Sequence, residues 1–199
     1  VRVTMPRKSN FDKQEKLIDA MNLFWQKGYA NTSIADLVET LGINRFSLYN
    51  TYGDKQALYY SALDFYLQNI SFPSMKNLIE EDADLVTIEE FLTRFAQIQK
   101  DQKSGCFMQN ALMEHGGNDN TVKNRGEGVF DLLLSNFKRA LDNAQLKHQI
   151  AESCNTEALA SLLLTQVQGV RVLGKARAYA ESEQAVDALF VLIKAYTPK

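Results

Sequence analysis

Residues 32–59 read TSIADLVETLGINRFSLYNTYGDKQALY, and their spacing is that of two short helices around a tight turn. Ile34, Leu37, Val38 and Leu41 fall at i, i+3, i+4 and i+7, which gives a helix over about 33–40 with one buried stripe. Gly42 follows its last apolar position, where a left-handed C-cap is least costly for a residue without Cβ. Asn44 then offers a side-chain oxygen to the free amides of a second helix, from 45 to about 50, with Leu48 facing inward. Helix, short glycine-containing turn and helix make a helix-turn-helix, in which the start of the second helix meets base edges in the major groove. Here those residues are Arg45, Phe46, Ser47, Tyr49 and Asn50. An ordinary solvated helix presents Lys and Glu instead. The competing reading, that Phe46, Tyr49 and Tyr52 are core aromatics of a small bundle, suits Tyr52 better than Tyr49.

The flanks support this unit. Leu17, Ile18, Met21, Phe24 and Trp25 predict a first helix closing at Gly28, with its apolar face over the other two. Thr32 reads as the N-cap of the second helix and Ser33 as part of its first turn; their hydroxyls either cap only or also meet a DNA phosphate, aided by the helix dipole. Asp54 reads as the cap of a fourth helix carrying Leu58, Ala62, Leu63, Phe65, Tyr66 and Ile70 and ending before Pro73. Lys55 sits in that helix's first turn, where a cation is unfavourable unless a phosphate is there too. The Arg7–Lys8 arm is solvated charge or a contact to phosphates or the minor groove.

Several of these residues together resemble the DNA-binding domain of the tetracycline-repressor-like (TetR) family of bacterial transcription regulators. Gly28, Tyr29 and Thr32 match its glycine, aromatic and threonine. Ile34 and Ala35 match its isoleucine-alanine pair, and Gly42 and Ile43 its turn. Leu48, Tyr49, Tyr52 and Lys55 match its leucine-tyrosine pair, aromatic and lysine. Asn44, commonly serine, and Phe46, commonly small, depart from the pattern. The resemblance implies an all-α fold: a helix-turn-helix domain over 1–53 and a helical effector-binding and dimerisation domain over 54–199. It implies a DNA contact set of Thr32, Ser33, Asn44, Arg45, Phe46, Ser47, Tyr49, Asn50 and Lys55, and a dimeric repressor released from a palindromic operator by a small-molecule effector.

Composition agrees. The chain has 199 residues, 45% of them hydrophobic, which is ample for a buried core. Residues 1–55 hold eight Lys or Arg against six acids, whereas the whole chain carries a net charge of −2. This small asymmetry points to a nucleic-acid module on an acidic body. No apolar run approaches the roughly 18 residues that span a bilayer, and the first fifteen residues lack a hydrophobic centre, so the expected compartment is the cytoplasm and no membrane partner is expected. The three prolines, Pro6, Pro73 and Pro198, stand where helices begin or end.

Beyond Pro73, helices are expected over 87–102, 106–114 and 121–145, with Gly126 and Gly128 marking a kink or close packing in the last. Two further helices, about 156–178 and 183–196, are strongly periodic. In the resembling family such helices pair with a second copy as a four-helix bundle, and Gly169 and Gly174 would allow close approach there. Paired heads about 34 Å apart would read a palindrome. Phe65, Phe95, Met108, Gln109 and Met113 are candidate lining for an apolar effector cavity, each also readable as plain core.

Catalytic motifs are absent. His115 and His148 lack metal spacing, and Cys106 and Cys154 are too few for zinc or a disulfide framework. They read as reduced thiols, with a redox sensor at Cys106 the alternative. No cofactor and no metal are expected, and the chain is not expected to be an enzyme. The competing classes are a helical carrier or enzyme whose head no longer binds DNA, and a nucleoid-like protein, which would be more basic.

Overall fold

The computed structural model describes residues 12–101, 105–115 and 117–195. Among them every regular element is helical: α1 Lys13–Lys27, α2 Ile34–Leu41, α3 Arg45–Tyr52, α4 Lys55–Tyr66, a π-helical turn Leu67–Ser71, α5 Phe72–Ser74, α6 Lys76–Ile79, α7 Leu85–Asp101, α8 Phe107–His115, α9 Asn120–Leu146, α10 Thr156–Lys175 and α11 Tyr179–Ala195. The chain divides into two compact units, Val1–Asn69 and Ile70–Lys199. The basic arm with Arg7 and Lys8 lies outside the described residues.

In the first unit, Asp12 caps α1 by accepting from the amides of Gln14 and Glu15. The buried side of α1, Ala20, Met21 and Phe24, closes on Leu58, Tyr59, Ala62 and Leu63 of α4. The rings of Phe24 and Tyr59 meet edge to face at 5.1 Å, and those of Trp25 and Tyr66 at 5.0 Å. Each such buried side chain contributes about 1.5–3 kcal/mol, so the α1–α4 pair is the rigid base on which α2 and α3 sit. The fourth helix therefore packs with the N-terminal unit.

Helicity does not stop before Pro73 as its placement predicts. The turn widens to a π-helix over Leu67–Ser71, and Pro73 occupies the first turn of α5. Proline has no N–H to continue the α ladder, and a wider turn accommodates the lost bond.

In the second unit α9 is central. Val129, Leu133, Phe137, Ala140, Leu141 and Ala144 are buried along it, against α7, α8 and α10. Its polar side chains satisfy the neighbouring loops. Arg139 Nη2 donates to the carbonyls of Leu78, Ile79 and Glu80, and Asn143 Nδ2 to those of Glu81 and Ala83. Gln145 Nε2 holds the carbonyls of Ala151, Glu152 and Cys154. These bonds fix the orphan carbonyls at the end of α6 and in the α9–α10 connection.

The glycines resolve differently from one another. A Cβ on Gly126 would lie 2.6 Å from Leu112 Cδ2, so close packing against α8, rather than a kink, explains this residue. Gly128 faces open space. Gly174 packs within the chain, against Gln99 of α7, and not as a free surface for a second copy.

Candidate nucleic-acid interface

Helices α2 and α3 are positioned by the caps at their starts. Ser33, not Thr32, is the N-cap of α2: its Oγ accepts from the Asp36 amide at 3.0 Å, while Asp36 Oδ2 accepts from the Ser33 amide at 2.8 Å. This capping box satisfies two orphan donors at once. Lys27 Nζ reaches Asp36 at 2.9 Å, and this pair, with the Ser33 bonds, holds the Asp36 carboxyl well below the usual carboxylate range. Thr32 is 0% exposed and donates its hydroxyl to the Gly28 carbonyl at 2.6 Å. Its side chain locks the α1–α2 corner instead of capping, because its hydroxyl is committed to the Gly28 carbonyl and Ser33 takes the cap.

Gly42 takes the left-handed conformation expected, φ 62° and ψ 29°, and turns the chain into α3. Asn44 caps α3 by accepting from the Ser47 amide at 2.8 Å. Leu48 is fully buried, and Ile43 is buried just before the helix. Tyr52 is half-buried and donates to the Lys13 carbonyl at 2.8 Å, which ties the end of α3 to α1. It is a structural residue.

The opposite side of α3 is open. Arg45, Phe46, Tyr49 and Asn50 are exposed and Ser47 is half-buried; Phe46 reaches 75% exposure. An exposed phenylalanine at the start of a short helix has no role in the core. The Arg45 guanidinium lies 5.5 Å from the centre of the Tyr49 ring, with Nη2 3.4 Å from the Tyr49 hydroxyl. The two side chains thus form one plate along the helix surface. Asp54 caps α4 by accepting from the Ala57 amide at 2.7 Å. Lys55 Nζ lies 4.2 Å over the ring of Tyr29, whose other neighbours are Phe24 and Tyr59 of the core. The aromatic beneath it thus fixes where this cation stands.

A family profile described as "Bacterial regulatory proteins, tetR family" matches residues 17–62, and a second, "Tetracyclin repressor-like, C-terminal domain", matches residues 85–189. The chain is 30% identical over 179 residues to the HTH-type transcriptional repressor ComR of Escherichia coli (strain K12), covering 86% of this chain and 83% of that one. It belongs to the TetR family. An uncharacterized HTH-type transcriptional regulator of Bacillus subtilis (strain 168), YezE, is 28% identical over 165 residues, covering 80% of this chain and 84% of that one. The TetR regulator CifR, solved as a cysteine mutant with a 26-bp double-stranded operator DNA, shares the fold at TM-score 0.76 and 23% identity, over 92% of this chain and 97% of that one.

Of the sequence-derived DNA set, the buried Thr32 stands apart and the others fall into two groups. Arg45, Phe46, Ser47, Tyr49 and Asn50 share the outer side of one helix, and Ser33, Asn44 and Lys55 stand at helix N-termini, where backbone amides favour an anion. Sequence reasoning missed Asp36 and its partner Lys27. The serine three residues before an acid was the available signal.

The candidate effector-lining residues do not form one group. Met113 is 80% exposed, so it lines no interior among the described residues; it lies on the outer face of the short helix α8. Met108 is buried, Phe95 and Gln109 are half-buried, and Phe65 belongs to the other unit. An open groove of about 480 Å³ is lined instead by residues of 73–78 and 86–97, among them Pro73, Lys76, Val86, Glu90 and Arg94. Cys106 is a buried free thiol and Cys154 a half-buried one. Among the described residues no His, Cys, Asp and Glu cluster able to hold a metal is found, and no helix is long and apolar enough to cross a membrane.

Proposed function

We propose that this TetR family member is a sequence-specific repressor that binds a palindromic operator as a homodimer in the cytoplasm and leaves it when a small-molecule effector binds. Residues 1–53 act as the reading head, and 54–199 serve effector binding and dimerisation. In this reading α3 enters the major groove: Arg45, Phe46, Ser47, Tyr49 and Asn50 face base edges, while Ser33, Asn44 and Lys55 face phosphates. Thr32, fully buried, serves the same interface through the α1–α2 corner that its hydroxyl fixes.

The observation that carries the reading is the polar-aromatic outer face of α3, held in place by the Asn44 side-chain cap, the Gly53 backbone cap and the buried Leu48. The repressor and operator descriptions of the relatives support it. Dimerisation is supported by apolar side chains that stay exposed on the two C-terminal helices, Leu162 and Val172 on α10, Val191 and Leu192 on α11. A symmetric pair of such faces buries them in an isologous interface.

The test is binding of the full chain to its own upstream region and to random duplex across a salt series. Specific binding that falls steeply with ionic strength is expected. Equal affinity for both duplexes, or none for either, would remove the reading.

A further inference from the structure

Arg171 of α10 is 4% exposed, and no carboxylate meets it among the described residues, which include every aspartate and glutamate in the chain. Its guanidinium stands 5.5 Å from the ring centre of Phe95 on α7, and Nη1 donates to Gln168 Oε1 at 3.1 Å. Arg171 Nε has no hydrogen-bond partner, and neither does Gln168 Nε2 one turn earlier on α10. Gln99, one turn after Phe95 on α7, is 2% exposed, and its Oε1 is also unpartnered.

A guanidinium cannot lose its charge at any pH a protein survives, so burial cannot be relieved by deprotonation. Phe95 and one neutral amide oxygen compensate only part of a desolvated cation. Retaining an unpaired cation here is intelligible if an anion completes the cluster. The unused donors, Arg171 Nε and Gln168 Nε2, belong to two side chains already joined by a hydrogen bond, and rotation of the Gln99 amide brings a further N–H to the same seam. Gln168 is only half-buried, so the cluster reaches toward the surface on its side.

We propose that Arg171 anchors the effector site of the second unit and that the effector is an anion, whose carboxylate or phosphate oxygens take the free donors of Arg171 and Gln168 while Phe95 covers the guanidinium. This rests on the reading of the protein as an effector-responsive regulator. It restricts the effector by charge.

The test uses the full chain in a thermal-shift panel of matched pairs, each aromatic or aliphatic carboxylate beside its neutral primary amide, with inorganic phosphate as a separate arm. Carboxylates are expected to raise the melting temperature more than their amides. The difference should vanish in Arg171→Met and survive in part in Arg171→Lys. The Arg171→Met protein without ligand should melt no lower than wild type, because a buried unpaired charge is replaced by apolar volume. A shift with phosphate too supports the same site and assigns a free oxyanion; a shift with carboxylates alone assigns the anionic head of a larger molecule. Amides matching their carboxylates throughout, or an undiminished response in Arg171→Met, would overturn the proposal. Operator binding, measured in parallel, should weaken by about 5- to 150-fold with the best anion. A protein that binds no operator yet still shows the Arg171-dependent shift would refute the repressor reading and leave the anion site standing.

Discussion

A methyl group placed on Gly174 of α10 would stand 2.6 Å from Cβ and 2.9 Å from Cγ of Gln99 on α7. Those atoms lie close to the backbone of a buried residue and have little freedom to move aside. Gly174→Ala therefore forces α7 and α10 apart at a cost of about 1–3 kcal/mol, more than the helix propensity it gains. Gly128→Ala, exposed and facing open space, is expected to stabilise by up to about 1 kcal/mol. Urea midpoints of the two variants should shift in opposite directions.

In the proposed interface, the plate formed by Arg45 and Tyr49 makes their contributions to DNA binding interdependent. Arg45→Ala should weaken operator binding by about 1–3 kcal/mol and relax the sequence preference at one position. Tyr49→Ala removes the surface along which the guanidinium lies, so a double-mutant cycle should return a coupling of about 0.5–3 kcal/mol. Additive losses would mean that the two side chains act separately on the duplex.

In the proposed interface Lys55, at the start of α4, meets a phosphate and not a base. Lys55→Ala should weaken binding to all duplexes alike and lower the slope of log affinity against log salt by about 1. A changed preference between operators, with the slope intact, would contradict that role.

Phe46 is 75% exposed at the start of α3, and in the proposed interface its ring makes an apolar contact with a thymine methyl. Substituting uracil for thymine at one operator position should weaken wild-type binding measurably and leave Phe46→Ala indifferent. Scanning each thymine of the half-site by fluorescence anisotropy would locate it.

Asp36 links stability to pH. Folding holds its carboxyl below the ordinary value through Lys27 and the Ser33 hydrogen bonds, so its contribution is complete above about pH 4 and declines as pH falls through the lowered folded value. Asp36→Ala should melt lower than wild type at pH 7, and the gap should narrow below about pH 4. Ser33→Ala, which removes the other half of the capping box, should cost about 0.5–2 kcal/mol at neutral pH.

How far the sequence could be read depended on whether a feature is local. Gly42, Asn44, Leu48 and Asp54 behave as their spacing predicts, because turns and caps are settled within four residues along the chain. Ser33 and Thr32 were assigned one position apart from what is observed, since both are good caps and only the Gly28 carbonyl distinguishes them. Gly174 read as a point of contact between subunits, because periodicity identifies a small residue but not which helix faces it. Arg171 carried no signal at all. A charged residue beside apolar ones looks like the edge of a helix face until the opposing helix is in place. Met113, expected to line an interior, is exposed for the same reason: periodicity does not say which face of α8 is covered.

Of the eight residues of α3, Leu48 alone is fully buried, and the caps at its start come from a residue outside the helix. The outward side chains at 45, 46, 47, 49 and 50 therefore contribute little to whether the head folds. Their identities are free to drift or to be exchanged as a block, so descendants of this scaffold can acquire new target sequences without first losing their architecture. With the proposed reading face, retargeting the protein in the laboratory reduces to rewriting five letters.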